Sequence, residues 1–291
     1  MNEQLEQLKD KYKSTPIPDE LDFVVKKAIK QSKKRHGGWM KSLVGVGAVA
    51  IIFVTGINAS PAFAKALSDV PLVGSLVKVL TFTEFKVDEE TANADIKVPA
   101  ITNLENKTLE ASLNNKYLQE SKKLYSDFTA EMEELKKNGG GHTGVESGYE
   151  VKTDNDQILA IGRYVVNTVG SSSTTFKYDT IDKKNQLLIT LPSLFKDDSY
   201  IKLISENIKE QMRQQMKSDP DKTYWTKDID GKGELDIDPI KKDQSFYINN
   251  EGKLVISFDK YEVAPGYMGV VEFIIPTHVI ADALVSNAYI K

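Results

Sequence analysis

The run "WMKSLVGVGAVAIIFVTGI", residues 39–57, constrains this chain more than any other stretch. It carries a single charge, Lys41, near its start. Nineteen helical residues at about 1.5 Å each reach roughly 28 Å, close to the ~30 Å hydrocarbon core of a bilayer. The fully apolar part is shorter, which leaves a buried core helix as the alternative reading. The flanks favour a membrane span. Lys26, Lys27, Lys30, Lys33, Lys34, Arg35 and Lys41 crowd its amino-terminal side, whereas Lys65 and Lys78 follow sparsely. That bias orients the amino terminus to the cytoplasm, with Trp39 as an interfacial aromatic. Charge is divided in the same sense. Residues 1–41 hold ten basic and six acidic side chains, which leaves 28 basic and 36 acidic in residues 42–291. A basic arm and an acidic body thus flank a single span, with the body expected outside the cell membrane.

Small residues close the run. Ala62 with Ala64, and Ala64 with Ala66, each give the A-x-A spacing that a signal peptidase reads, for cutting after Ala64 or between Ala66 and Leu67. Asn58 and Pro61 break the helix just upstream. Alanine pairs also arise by chance, so the spacing alone is not diagnostic. After the site, Phe63, Leu67, Val70, Val73, Val77 and Leu80 recur at helical spacing, and residues 58–80 are expected to pair a cleavage site with an amphipathic helix. Packed in such a helix, the bond is a latent substrate.

Residues 1–38 are too long for the basic region of an ordinary leader. Pro18, Asp19 and Glu20 open a helical pattern that ends in lysines and Arg35, matching the helix dipole at both ends. Leu21, Val24, Val25, Ala28 and Ile29 form its apolar face, and Leu5, Leu8 and Tyr12 mark a shorter one. Two such helices cannot bury a core by themselves. They need a cytosolic partner or, alternatively, an anionic lipid surface.

Beyond residue 80 the pattern is mixed. A hairpin over residues 82–101 precedes a helix over 104–137 striped by Leu109, Leu113, Tyr117, Leu124, Phe128, Met132 and Leu135. Strands follow, with turns at 153–156, 170–173 and 182–185. A second helix turns Ile201, Ile204, Ile208 and Met212 inward. Two strands meet at 249–252, and a last strand pair around residues 261–276 leads to a closing helix over 277–288. The expected fold is an α+β extracellular region of two small packed modules, residues 81–190 and 191–291, built of antiparallel sheets with helices.

Catalytic constellations are missing from the sequence. The chain has no cysteine and only His36, His142 and His278, none at ligand spacing to another. "DIDGKGELDID", residues 228–238, lacks the glutamate that closes a calcium loop and has Lys232 among the would-be ligands, so it reads as a solvated loop. No cofactor, metal or enzymatic activity is expected. Binding is better supported. In "APGYMG", Pro265, Tyr267 and Met268 are expected on a turn between strands, free of the core, with a rigid aromatic suited to an interface, although Tyr267 packed on its own sheet is the plainer alternative. The acidic body would steer a cationic partner.

The combination of "IPDELDFVVKKAI", the A-x-A pair, "LPSLFKDDSYI" and "FDKYEVAPGYMGVVEFIIP" resembles the lysozyme-responsive anti-sigma factors of Gram-positive bacteria, the RsiV type, over nearly the whole chain. The resemblance implies that the arm sequesters an extracytoplasmic-function sigma factor through Leu21, Val24, Val25 and Ile29. It implies that the body captures and inhibits lysozyme through a turn at Ser171, Ser172 and Ser173 and through Pro265, Gly266 and Tyr267. Lysozyme would then expose the bond near Ala62, Ala64, Ala66 and Leu67 to signal peptidase. An intramembrane metalloprotease would cut the remaining span and release the sigma factor, with no direct contact to nucleic acid. A passively anchored wall- or glycan-binding surface protein is the alternative, for which the arm is dispensable. A membrane-bound hydrolase is disfavoured by the missing constellation.

Overall fold

The computed structural model describes residues 77–227 and 233–291. The arm with Leu21, Val24, Val25 and Ile29, the run at 39–57, and the cleavage segment with Ala62, Ala64, Ala66 and Leu67 lie outside the described residues. Among the described residues no helix is long and apolar enough to cross a membrane.

Six strands form the first layer in chain order: β1 (Lys78–Asp88), β2 (Ala92–Thr102), β3 (Thr143–Asp154), β4 (Ile158–Val169), β5 (Ser171–Asp182) and β6 (Leu187–Ile189). The amphipathic helix expected up to residue 80 gives way to strand at Lys78. There "KVLTFTEFKVD" alternates and pairs with β2 from Lys78 opposite Thr102 to Asp88 opposite Asn93. The sheets are antiparallel as expected except at one pairing, where β2 and β3 run parallel. Parallel neighbours require a crossover, and α1 (Lys107–Lys137) supplies it.

Asn106 caps α1 by accepting the Leu109 N–H at 3.1 Å, while Lys136 and Lys137 occupy its last turn. Of the expected stripe, Leu113, Tyr117 and Phe128 are buried against the sheet and the others are partly buried. The parallel ladder ends at Ile96 opposite Ser147. Past that point Pro99 has no N–H to donate. The Ile101 N–H and C=O turn instead to the buried Asn114 side chain of α1, at 2.7 and 2.8 Å. One helix residue thus completes the free edge of β2.

The second layer contains α2 (Ser199–Ser218) and a three-stranded antiparallel sheet of β7 (Phe246–Ile248), β8 (Leu254–Phe258) and β9 (Val271–Ile275). Ile204, Ile208 and Met212 of α2 are buried as its periodicity predicts, Ile201 is partly so, and Tyr200 joins them. The expected last strand pair is a single strand. Tyr261 takes a left-handed backbone (φ 76°) and the Val263 carbonyl accepts the Trp225 N–H, which removes residues 261–263 from any ladder with β9. The closing helix shrinks to α3 (Thr277–Ile280) and a 3₁₀ turn at Ala281–Ala283. Leu284 then bridges Phe195, and the Val285 N–H donates to Leu194, so tertiary pairing outcompetes helix propagation.

The layers share β4. Ile158 and Ala160 belong to the core of the second layer, while Leu159 and Ile161 pack with Leu113, Tyr117 and Ile181 under α1. Asp182 ties the carboxy-terminal segment to this strand pair. Its fully buried carboxylate accepts from the Lys184 and Asn185 N–H groups, the Asn185 side chain and the Tyr289 hydroxyl, the last at 2.7 Å. Burial by itself raises this carboxyl, but the donated hydrogen bonds prevail and hold it below the usual carboxylate value.

Asn114→Ala orphans two buried backbone groups and is expected to cost about 2–3 kcal/mol in urea unfolding followed by circular dichroism. Asp182→Asn is expected to cost about 1–2 kcal/mol at neutral pH. The depressed value fixes the sign: this stabilisation is complete above the ordinary aspartate value near 3.9 and is lost as pH falls through the lower folded value. The stability gap between native and variant should therefore close below about pH 4, which urea midpoints across an acid series would measure.

Candidate binding surface

The β4–β5 hairpin ends in a tight turn. Val169 pairs with Ser171 across Gly170, whose φ of 71° suits glycine. The turn expected over residues 170–173 is thus shorter than anticipated. Ser171, Ser172 and Ser173 begin β5, opposite Val169, Thr168 and Asn167, because the hydroxyl-bearing run continues into the β-prone "TTF" and pairs throughout.

Pro265, Gly266 and Tyr267 lie in the connection between β8 and β9, where Gly266–Met268 makes one 3₁₀ turn closed by the Met268 N–H on the Pro265 carbonyl at 2.9 Å. Val263 and Ala264 are buried before it and Met268 packs on the core after it, which leaves Tyr267 68 % exposed. Its ring is therefore presented outward rather than laid on its own sheet.

These two segments, nearly a hundred residues apart, adjoin through residues 259–262. The Lys260 N–H donates to the Thr174 carbonyl at 3.0 Å and its ammonium donates to the Ser172 hydroxyl at 2.9 Å, while also lying 5.2 Å from the centroid of the Tyr261 ring. Asp259 accepts the Phe176 N–H at 2.7 Å. Burial raises the Asp259 carboxyl, with the nearby Glu262 adding to the shift against the opposing Phe176 hydrogen bond. The Tyr261 ring covers Gly266 so closely that a Cβ there would overlap it. Sequence reasoning missed Lys260 and Tyr261, since no local pattern marks a contact made across 88 positions. The resulting surface offers hydroxyls, an exposed phenol ring and flanking carboxylates. With the Lys260 ammonium among them, these groups can donate and accept hydrogen bonds and present a ring to a polar partner.

The architecture has counterparts among solved proteins. A DUF3298 family member from Bacteroides fragilis NCTC 9343 superimposes with a TM-score of 0.53 at 16% identity, covering 72% of this chain and 94% of its own. A DUF3298 family protein from Pseudomonas aeruginosa PAO1 gives 0.51 at 12% identity, covering 74% and 97%. Residues 192–278 match the family described as a protein of unknown function, DUF3298. The class is thus an α+β body of the DUF3298 type. Within it, the chain is 48% identical over 291 residues to the anti-sigma-V factor RsiV of Bacillus subtilis (strain 168), covering all of both chains. The chain belongs to the RsiV family of anti-sigma factors.

Lys260→Met removes the ammonium that joins the hairpin to the aromatic turn. Hydrogen exchange of the amides of residues 172–174 should accelerate several-fold, while global stability falls by no more than about 1 kcal/mol, as exchange mass spectrometry and urea unfolding together would show.

Proposed function

We propose that this chain is a membrane-anchored anti-sigma factor whose acidic body receives lysozyme. The full-length 48% identity to an anti-sigma-V factor carries the reading, because it spans the arm, the apolar run and the body alike. Residues 1–38 hold an extracytoplasmic-function sigma factor through the apolar face of Leu21, Val24, Val25 and Ile29. The run at residues 39–57 anchors the chain with that arm in the cytoplasm. Lysozyme, a strongly basic protein, docks on the surface that joins Ser171, Ser172 and Ser173 to Pro265, Gly266 and Tyr267, with Tyr267 as its anchor. The outward ring and the fastened hairpin support this placement. Capture renders the bond after Ala66, or alternatively after Ala64, accessible to signal peptidase. An intramembrane metalloprotease then releases the arm with its sigma factor.

The test is an immunoblot of the tagged chain in membranes with purified signal peptidase. Cleavage between residues 62 and 67 should occur only when lysozyme is added, and Ala66→Trp should abolish it or divert it to the bond after Ala64. Constitutive cleavage, or none in either condition, would sink the gated mechanism. Tyr267→Ala should weaken lysozyme binding at least ~30-fold, the size of an interface hot spot, by surface plasmon resonance.

A further inference from the structure

The segment that carries Trp225 stands beside the same surface. Residues 225–227 and 234–236 form a narrow antiparallel ribbon: Thr226 bridges Leu235, the Lys227 N–H donates to Glu234 at 2.9 Å, and the Asp236 N–H donates to Trp225 at 2.9 Å. Two buried residues, Tyr224 and Leu235, root the ribbon in the core of the second layer. Its sides are then set by alternation. With Leu235 inward, Glu234 and Asp236 face solvent, and Asp238 is exposed beyond them. Glu234 is partnered by Lys227 at 2.7 Å.

Two hydrogen bonds seat the ribbon against the aromatic turn. The Trp225 N–H donates to the Val263 carbonyl at 3.0 Å and its indole N–H donates to the Tyr261 carbonyl at 3.1 Å. The indole itself is 40 % exposed and Tyr261 is 44 % exposed. A large ring left partly in water next to Tyr261, with Tyr261 held in a left-handed conformation over Gly266, is a costly arrangement for a merely structural loop. The exposed Glu262 stands on the same loop.

We infer that this ribbon is a third arm of the docking surface, with Trp225 an aromatic anchor and Asp236 a steering carboxylate for a basic protein ligand. The inference rests on the lysozyme reading and deepens it. The occupant follows from continuity with the hairpin and turn described above and from charge. The body carries eight more acidic than basic side chains, and Asp236 is one of the acidic ones, on the same face of the ribbon as Trp225. Carboxylates at a rim act mainly on the rate of encounter, whereas a partly buried ring acts on the lifetime of the complex.

The test is surface plasmon resonance of lysozyme on the full chain in detergent micelles, at low and physiological salt. Asp236→Lys changes an exposed side chain and should leave thermal melting unaltered. It should weaken binding about tenfold at low salt, mostly through a slower on-rate, with the deficit shrinking as salt rises. Trp225→Ala should weaken it ~30-fold, mostly through faster dissociation. Glu251→Lys, an exposed charge on the separate β7–β8 turn, should bind as the native chain does. If Tyr267→Ala loses affinity while Asp236→Lys and Trp225→Ala bind as native, the ribbon's role is overturned and the lysozyme reading stands. If the native chain fails to bind lysozyme, that reading falls and takes the ribbon's assignment with it.

Discussion

Strand β4 is the member on which both layers depend. Its first four residues, Ile158, Leu159, Ala160 and Ile161, point alternately to opposite faces, and both faces are dry. Such a strand reads as a continuous apolar run rather than an alternating one, because it has no solvent side. Fully burying an aliphatic side chain of this size is worth about 1.5–3 kcal/mol. The same short run therefore stabilises the α1 layer and the α2 layer together. The paired residues of β5 follow suit: Ile181 joins the first core, and Asp182 fastens the carboxy-terminal Tyr289.

The other half of the same hairpin does the opposite. From Asn167 to Ser171 every residue is exposed. A strand pair rooted between two cores can carry its tip into solvent without losing register, since a one-residue slip would swap side chains between two cores packed around different shapes. The tip is nevertheless fastened laterally by Lys260 and Asp259, which belong to the second layer. The surface is thus composite: a hairpin from one layer and an aromatic turn from the other, held in one geometry by three hydrogen bonds. Preorganisation of this kind lowers the ordering cost of binding.

Periodicity made much of this legible in the sequence. The stripes of α1 and α2 stand out because a helix that buries one face must repeat its apolar residues, and the turn at residues 249–252 stands out through its asparagine and glycine. What stayed illegible depends on distant partners. The parallel pairing of β2 with β3 is decided by the length of the α1 crossover. The short α3 is decided by Leu284 finding Phe195, and the lone β9 by Val263 finding Trp225. At the candidate surface, Tyr267 could be picked out because a proline, a glycine and an aromatic share one turn. Lys260 could not, since an isolated lysine carries no local sign of the serine it will meet.

Strand register also limits how a ligand on this surface could act on the chain upstream. Lys78 pairs with Thr102 at one end of β1, whereas Asp88 pairs with Asn93, Asn93 with Gly144 and Gly144 with Thr168 at the other. The folded body is therefore entered at the end of the sheet opposite the hairpin tip, about ten strand steps or roughly 33 Å away. Eleven residues lie between Ala66 and Lys78, and even fully extended the twelve steps reach at most about 40 Å. The tether could bring Ala66 itself to the tip only by running nearly straight along the body. If lysozyme gates the bond, the simpler physical route is a shift in which arrangement of the body and its tether is populated. Such a shift is bounded by differential affinity: tenfold more of the cleavable arrangement requires that lysozyme bind it about tenfold more tightly, about 1.4 kcal/mol. A composite surface made of two layers is suited to supply that difference, because a ligand that contacts both layers binds most tightly to the arrangement in which they are fastened together.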